Sequence, residues 1–178
     1  MGSQKHPKGL AYISEFITQA EESELWTNIN FQPWSTEISR RTQHYGYAYP
    51  YHAKNRLVPT AAIPNFMLPV KHRLDSTFGQ IFDQVIINEY TPGQGIGTHT
   101  DSTKLFGGTI ISLSLGSDII MNWEYQTEHI ALKLERRSIV VLQDESRWLW
   151  KHSIPSRKSD NGIPRQTRIS ATFRTATI

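Results

Sequence analysis

Asn88-Glu-Tyr-Thr-Pro-Gly-Gln-Gly-Ile-Gly-Thr-His99-Thr-Asp101 is the stretch on which the fold turns. A strand-like run over 85–90 enters a Pro-Gly turn, and His-Thr-Asp follows at once. In an extended segment, residues two apart share a face. Asn88 and Tyr90 therefore point one way, and His99 and Asp101 can point together. An imidazole and a carboxylate so placed are two of the three ligands in the two-His, one-carboxylate face that holds non-haem Fe(II). His-x-Asp also arises by chance, so the rest of the chain must decide.

The glycines of Gly93-Gln-Gly95-Ile-Gly97 suggest a nucleotide loop only weakly. A dinucleotide fingerprint needs a following helix, and here strands follow. A tight turn is the better reading. From Ile81 onward the pattern predicts short strands at 85–91, 96–101, 109–115, 119–125, 129–134, 138–143, 147–153 and 166–174. Eight such strands suggest a double-sheet jelly roll. Ser153 to Arg165 reads as a mobile polar loop.

Helices precede the strands, which makes the fold class α+β and mainly β. Leu10 to Ile17 reads as a short strand or entry segment. Thr18 can cap a helix from Gln19 to about Ile29, with Glu21 and Glu22 in its first turn. Phe66, Val70, Leu74 and Phe78 recur every four residues and form one helix face, which Gly79 ends. Between the helices, Arg40 and Arg41 precede Tyr45, Tyr47, Tyr49 and Tyr51, four tyrosines at period two. They can pack on a core. They can also offer a stacking face for bases, with the arginines reaching phosphate.

The 178 residues predict one domain with a substantial core. The chain has no cysteine, which excludes disulfides, thiolate metal sites and a Cys nucleophile, and fits an intracellular protein. The N-terminus shows no signal-peptide core or myristoylation pattern, and no apolar run approaches membrane-spanning length. A net charge of +3 and a pI near 9.2 permit a nucleic-acid partner without demanding one.

A metal face needs a second histidine, and His6, His44, His52, His72, His129 and His152 are the candidates. His152 ends the run Arg147-Trp-Leu-Trp-Lys-His, which as a strand puts Trp148, Trp150 and His152 on one face. Such a histidine can be core or ligand. The last strand alternates, with Arg168, Ser170, Thr172 and Arg174 on one face. That face is either a solvated exterior or an interior anion site, because a guanidinium suits a carboxylate bidentately.

On Asn88-x-Tyr90-x-x-Gly93, His99-x-Asp101, the distal His152, and Arg168 followed six residues on by Arg174, the segment 88–174 resembles the catalytic core of AlkB-type Fe(II)/2-oxoglutarate dioxygenases. Arg40 to Tyr47, Asn88 to Ile96, Ile111 to Ser117, Arg136 to Ser138, Glu145 to Trp150 and Ser170 to Arg174 resemble in particular the member that hydroxylates a modified wobble uridine in tRNA. The resemblance implies a double-stranded β-helix (jelly roll) core over 81–178. N-terminal helices and a nucleotide-recognition lid would occupy 1–80, all in one domain over 1–178.

It also implies Fe(II) held by His99, Asp101 and His152, with O2 and 2-oxoglutarate as co-substrates. The 2-oxoglutarate would meet Arg168, with Asn88, Tyr90, Ser170 and Arg174 assisting. Arg40, Arg41, Tyr45 and Tyr47 become the expected substrate contacts. The expected reaction oxidises alkyl groups on nucleic-acid bases, by demethylation of DNA or RNA or by hydroxylation of a tRNA wobble nucleoside. An intracellular, cytoplasmic monomer is expected, with the nucleus as the alternative in a eukaryote.

Three departures matter. Ser170 replaces an Asn that contacts the co-substrate in the type member, Thr103 replaces an acidic residue that helps read the damaged base there, and no added RNA-binding or methyltransferase domain is seen. The alternatives are a dioxygenase acting on a protein side chain or small molecule, and a metal-free binding module.

Overall fold

The computed structural model describes residues 7–49 and 56–177. The chain begins with β1 (Leu10–Ile13) and α1 (Gln19–Phe31). Thr18 accepts a hydrogen bond from the Glu21 amide while Glu21 accepts one from the Thr18 amide, closing a capping box. β2 (Thr42–Tyr45) follows, then the short strands β3 (Tyr47–Ala48) and β4 (Val58–Pro59). A 3-10 turn over Asn65–Met67 leads into α2 (Leu68–Phe78), which Gly79 ends in the left-handed conformation. Val70 and Leu74 are buried, and Phe66 and Phe78 pack beside them.

The strand-rich half runs β5 (Gln84–Tyr90), β6 (Ile96–His99), β7 (Ile110–Leu115), β8 (Ile119–Tyr125), β9 (Glu128–Leu134) and β10 (Ile139–Leu142). Then come α3 (Asp144–Trp148), β11 (Lys151–Ile154), β12 (Ser159–Asp160), β13 (Ile163–Pro164) and β14 (Arg168–Arg174). One sheet has six strands in the order β1-β10-β7-β14-β5-β2, and the other has four in the order β6-β11-β8-β9. This is the double-stranded β-helix. β1 and β2 come from the N-terminal part and form the two edges of the larger sheet.

The larger sheet is covered on both faces. Val85, Ile87, Ile111, Leu113, Leu115, Ile169, Ala171 and Phe173 face the helices and meet Leu25, Ile29, Val70 and Leu74. The opposite face meets the smaller sheet, where Ile110, Val140 and Leu142 pack on Ile119, Met121, Trp123 and Trp150. Burial on both faces explains why β5 and β14 lack an exposed side.

Three expectations fail locally. Residues 147–153 are not one strand: α3 occupies their start, and β11 begins only at Lys151. Asp144 and Glu145 in the first turn, and the hydrogen bond from the Gln143 amide to Ser146 Oγ, favour that turn of helix. Trp148 is therefore exposed, while Trp150 is buried. Tyr45 does not share an extended face with Tyr47 and Tyr49, because Gly46 turns the chain at φ +75°. A Cβ at Gly46 would collide with the Asp83 carbonyl oxygen. The stretch 153–165 is not loop alone. β12 and β13 pair in it, and Arg165 and Arg157 clamp Asp160.

Candidate metal centre and co-substrate pocket

Register builds the site. β6 and β11 pair so that His99 and His152 stand opposite one another. Their ring centroids are 4.4 Å apart. Asp101 lies two residues beyond His99, and ligand atoms of all three side chains fall within 4.8 Å of one another. The His99 Nδ1–H donates to the Gly97 carbonyl at 2.8 Å. That bond leaves Nε2 with its lone pair, as a metal ligand requires. Nε2 is 3.9 Å from Asp101 Oδ1.

Burial shapes the protonation states. His152 is buried, and desolvation drives its pKa down to about 4, against the opposing pull of Asp101. It is neutral at physiological pH, the form that binds a metal. Desolvation raises the pKa of Asp101, but Arg174, His152 and His99 together hold it below the ordinary value. Arg174 Nη2 lies 3.3 Å from Asp101 Oδ1.

The pairing of β14 with β5 and β7 fixes the other half. Ser170 stands opposite Asn88 and Ser114, and Arg168 stands opposite Tyr90. Arg168, Ser170, Thr172 and Arg174 thus share an inward face with Asn88, Tyr90, Ser112 and Ser114. The interior reading of the last strand holds, and the solvated exterior does not. The triad and Asn88, Tyr90, Ser170 and Arg174 line one cleft. Arg168 lies behind it, 1% exposed. Its Nη2 donates to Ser114 Oγ at 2.8 Å, while Nε and Nη1 have no partner among the described residues. Burial pushes its pKa down to about 10, so it remains a cation at neutral pH. A buried guanidinium with two idle donors fits a carboxylate. Two imidazoles and a carboxylate fit Fe(II).

The expected substrate residues separate. Tyr45 is a correction: it faces the helices, is 8% exposed, and donates to Gln43 Oε1. Alternation along β2 sends Gln43 and Tyr45 toward the core and Thr42 and His44 toward the cleft side. Arg41 is also committed. Its Nε and Nη2 donate to the two Glu89 oxygens at 2.8 and 2.5 Å, and its guanidinium lies over Trp34. Arg40 Nε donates to Asn88 Oδ1 at 2.9 Å, which ties it to the cleft wall. Tyr47 and Tyr49 pack on Leu57, Leu105 and Phe106, next to the segment that follows Asp101.

Of the other histidines, His72 and His129 are exposed and outside the cluster, and His6, His52 and also Tyr51 lie outside the described residues. Sequence reasoning missed the inward placement of His44, since only strand register reveals it. Burial and the nearby Arg174 lower the pKa of His44.

A double-stranded β-helix with two histidines and a carboxylate at its mouth defines the class of non-haem iron oxygenases. The profile of the 2OG-Fe(II) oxygenase superfamily matches residues 27–174, and the chain belongs to that superfamily. Fe(II), 2-oxoglutarate and O2 are accordingly its cofactor and co-substrates. The chain is AlkB-like among these enzymes. It is 38% identical over 181 residues to an uncharacterised protein of Acanthamoeba polyphaga mimivirus, covering 96% of this chain and 86% of that one. It is 36% identical over 176 residues to the tRNA (carboxymethyluridine(34)-5-O)-methyltransferase ALKBH8 of Mus musculus. That match covers 90% of this chain and 26% of the mouse protein, so the chain spans about a quarter of that relative. The solved structure of OsALKBH1 superposes with a TM-score of 0.69 at 18% identity, covering 97% of this chain and 100% of that one, a likeness of fold. No described helix is long and apolar enough to cross a membrane.

Proposed function

We propose that the chain oxidises alkyl groups on nucleic-acid bases, with single-stranded RNA or DNA, or a flipped base, as substrate. The observation that carries this reading is the shared cleft: His99, Asp101 and His152 at its mouth, with the idle donors of Arg168 behind. The nucleic-acid substrate rests on the mouse relative, whose name specifies tRNA. An aromatic and basic segment, Arg40 to Tyr49, also lies beside the cleft. The reading extends to one catalytic domain over 1–178 acting as an intracellular monomer.

In this reading His99, Asp101 and His152 hold Fe(II), and Arg168 pairs with the far carboxylate of 2-oxoglutarate. Asn88, Tyr90, Ser170 and Arg174 orient that co-substrate. The bound metal supplies oxygen insertion into a substrate C–H bond, with succinate and carbon dioxide as co-products. Ile110, Met121, Val140 and Leu142 give the cleft an apolar wall that excludes water from the reacting atoms. Tyr47 and Arg40 are the proposed substrate contacts, because an enzyme acting on a base must expose and grip it. An N-methyl carbon would leave as formaldehyde, whereas a carbon-linked group would remain hydroxylated.

The test is nucleoside mass spectrometry after incubation with Fe(II), 2-oxoglutarate and mixed tRNA, single-stranded RNA and alkylated DNA. The expected result is a lost alkyl group or an added oxygen that depends on both Fe(II) and 2-oxoglutarate. If succinate forms while every nucleoside stays unchanged, and a peptide pool gains oxygen instead, the nucleic-acid reading is overturned.

A further inference from the structure

We propose that Arg147 is a positioning residue that sets Asp101 against the two histidines. Arg147 sits in the last turn of α3 and is 1% exposed. Among the described residues, no carboxylate lies within ion-pair distance of its guanidinium, although Asp101 attracts it at longer range. A buried cation with only so distant a counter-ion is costly unless its donors are used. Here they are used on backbone oxygens. Nε donates to the Gly107 carbonyl at 2.9 Å, and Nη1 to the Asp101 carbonyl at 3.1 Å. Nη2 donates to the Ser102 and Phe106 carbonyls at 2.9 and 3.0 Å. The Trp148 ring lies 4.3 Å from the guanidinium carbon.

All four acceptors belong to the segment 101–107 between β6 and β7, which has no strand partner over most of its length. Its other backbone bonds run to Thr175 and Thr177. The guanidinium fork therefore does for this segment what a ladder does for a strand. Fixing the Asp101 carbonyl fixes the peptide plane from which the Asp101 side chain departs. Arg147 lies five residues before His152 on the same chain run, so one residue sets Asp101 relative to β11. On its far side the segment presents Leu105 and Phe106 to Tyr47 and Tyr49. The candidate iron ligand and the residues that pack on Tyr47 and Tyr49 thus belong to one anchored loop. Only a guanidinium has the donors for this: a lysine has three around one point and cannot span four carbonyls.

The inference rests on the triad being the iron site, and the test separates the two. Mn(II) is titrated into the full apo chain for wild type, Arg147→Lys, Arg147→Gln, His152→Ala and Arg165→Lys, with Tm recorded for each. Arg165 is the control, since it is also buried but donates to Asp160 and the Pro155 carbonyl, away from the segment 101–107. Outer-shell partners typically carry 10- to 100-fold in metal affinity. Arg147→Gln should lose about that factor and Arg147→Lys a smaller part of it. Arg165→Lys should lower Tm and leave the metal Kd unchanged. If both Arg147 variants lower Tm but bind Mn(II) as wild type does, the residue is merely structural and the proposal is overturned. Should the Gln variant fail to fold, the Lys variant decides on the same criterion. If His152→Ala keeps wild-type affinity, the triad reading itself falls, and this inference with it.

Discussion

His99 and His152 are direct neighbours across paired strands, with ring centroids 4.4 Å apart, although 53 positions separate them in the chain. Their rings meet Asp101 at the mouth of the cleft, while His72 and His129 remain exposed elsewhere. His99→Ala and His152→Ala should each weaken Fe(II) binding by more than the roughly 10- to 100-fold of an outer-shell change, and abolish turnover. His72→Ala and His129→Ala should leave both intact. Metal titration followed by succinate assay checks this, and an active, iron-binding His152→Ala would reject the assignment.

Arg168 should dominate 2-oxoglutarate affinity. Its Nε and Nη1 are buried and idle, and only Nη2 is engaged, by Ser114. Breaking a buried ion pair typically costs about 3–5 kcal/mol, which is roughly two to four decades in affinity. Arg168→Ala should show that loss in calorimetric titration of the metal-loaded protein. Arg168→Lys should recover only part, because the fork is gone. Near-wild-type binding by Arg168→Ala would remove it from the site.

The Pro-Gly turn before the metal ligands makes a steric forecast. A Cβ at Gly95 would collide with the Ile154 carbonyl oxygen and crowd Ser156, whereas one at Gly97 would meet nothing within 4 Å. Gly95→Ala should therefore push β6 away from β11, at about 1–3 kcal/mol as an overpacking change. Gly97→Ala should be near neutral and keep the carbonyl that orients His99. Melting curves for the pair, read with Mn(II) affinity, test this; equal effects would mean the turn is not wedged against β11.

Local pattern carried the parts of the fold that depend on neighbours in sequence. The Thr18 cap, the stripe from Phe66 to Phe78 and the strands from β5 to β10 follow from short periods and end signals. The metal pair His99 and Asp101 was legible for the same reason. α3 was not, because Arg147-Trp-Leu-Trp-Lys-His alternates like a strand and one turn is too short to show a helical period. Tyr45 and Tyr47 looked continuous because the pattern does not show that Gly46 takes a positive φ. The contacts Arg41–Glu89 and Arg147–Asp101 join positions about fifty residues apart, and no local rule reaches that far. His152 stayed one of six candidates on spacing alone, until pairing placed it opposite His99.

Asp160 predicts an acid-sensitive hairpin. Desolvation works against its charge, but hydrogen bonds from Arg165, the Ile120 amide and Arg157 prevail and take its pKa from 3.8 to about 2. The folded value lies below the unfolded one, so this stabilisation is present above about pH 4 and is lost as pH falls toward 2. Asp160→Asn should lower Tm at pH 7 and flatten the fall in Tm across that window. An unchanged acid slope in the variant would show that the clamp does not couple to folding.

The two tyrosines flanking Gly46 should behave differently, and this separates core from lid. Tyr45→Phe removes the donor to Gln43 Oε1 in a buried setting, and an unpaired buried polar group costs about 1–3 kcal/mol. It should lower Tm without changing the KM for nucleic acid. Tyr47 is half-buried on Leu57, Leu105 and Phe106. If it stacks on a base, Tyr47→Ala should lose about 1–3 kcal/mol of nucleic-acid affinity and leave substrate-uncoupled 2-oxoglutarate turnover nearly unchanged. Arg41→Ala should not alter the salt dependence of binding, because Glu89 already balances that charge. Arg40→Ala should weaken RNA binding as a proposed substrate contact, and also raise the KM for 2-oxoglutarate, since it frees Asn88 in the cleft wall. Fluorescence anisotropy with RNA at two salt concentrations, beside succinate release, reads all four variants. Loss of Tm and of both activities together in Tyr47→Ala would make it a core residue, and a substrate other than nucleic acid would then be the better fit to the cleft.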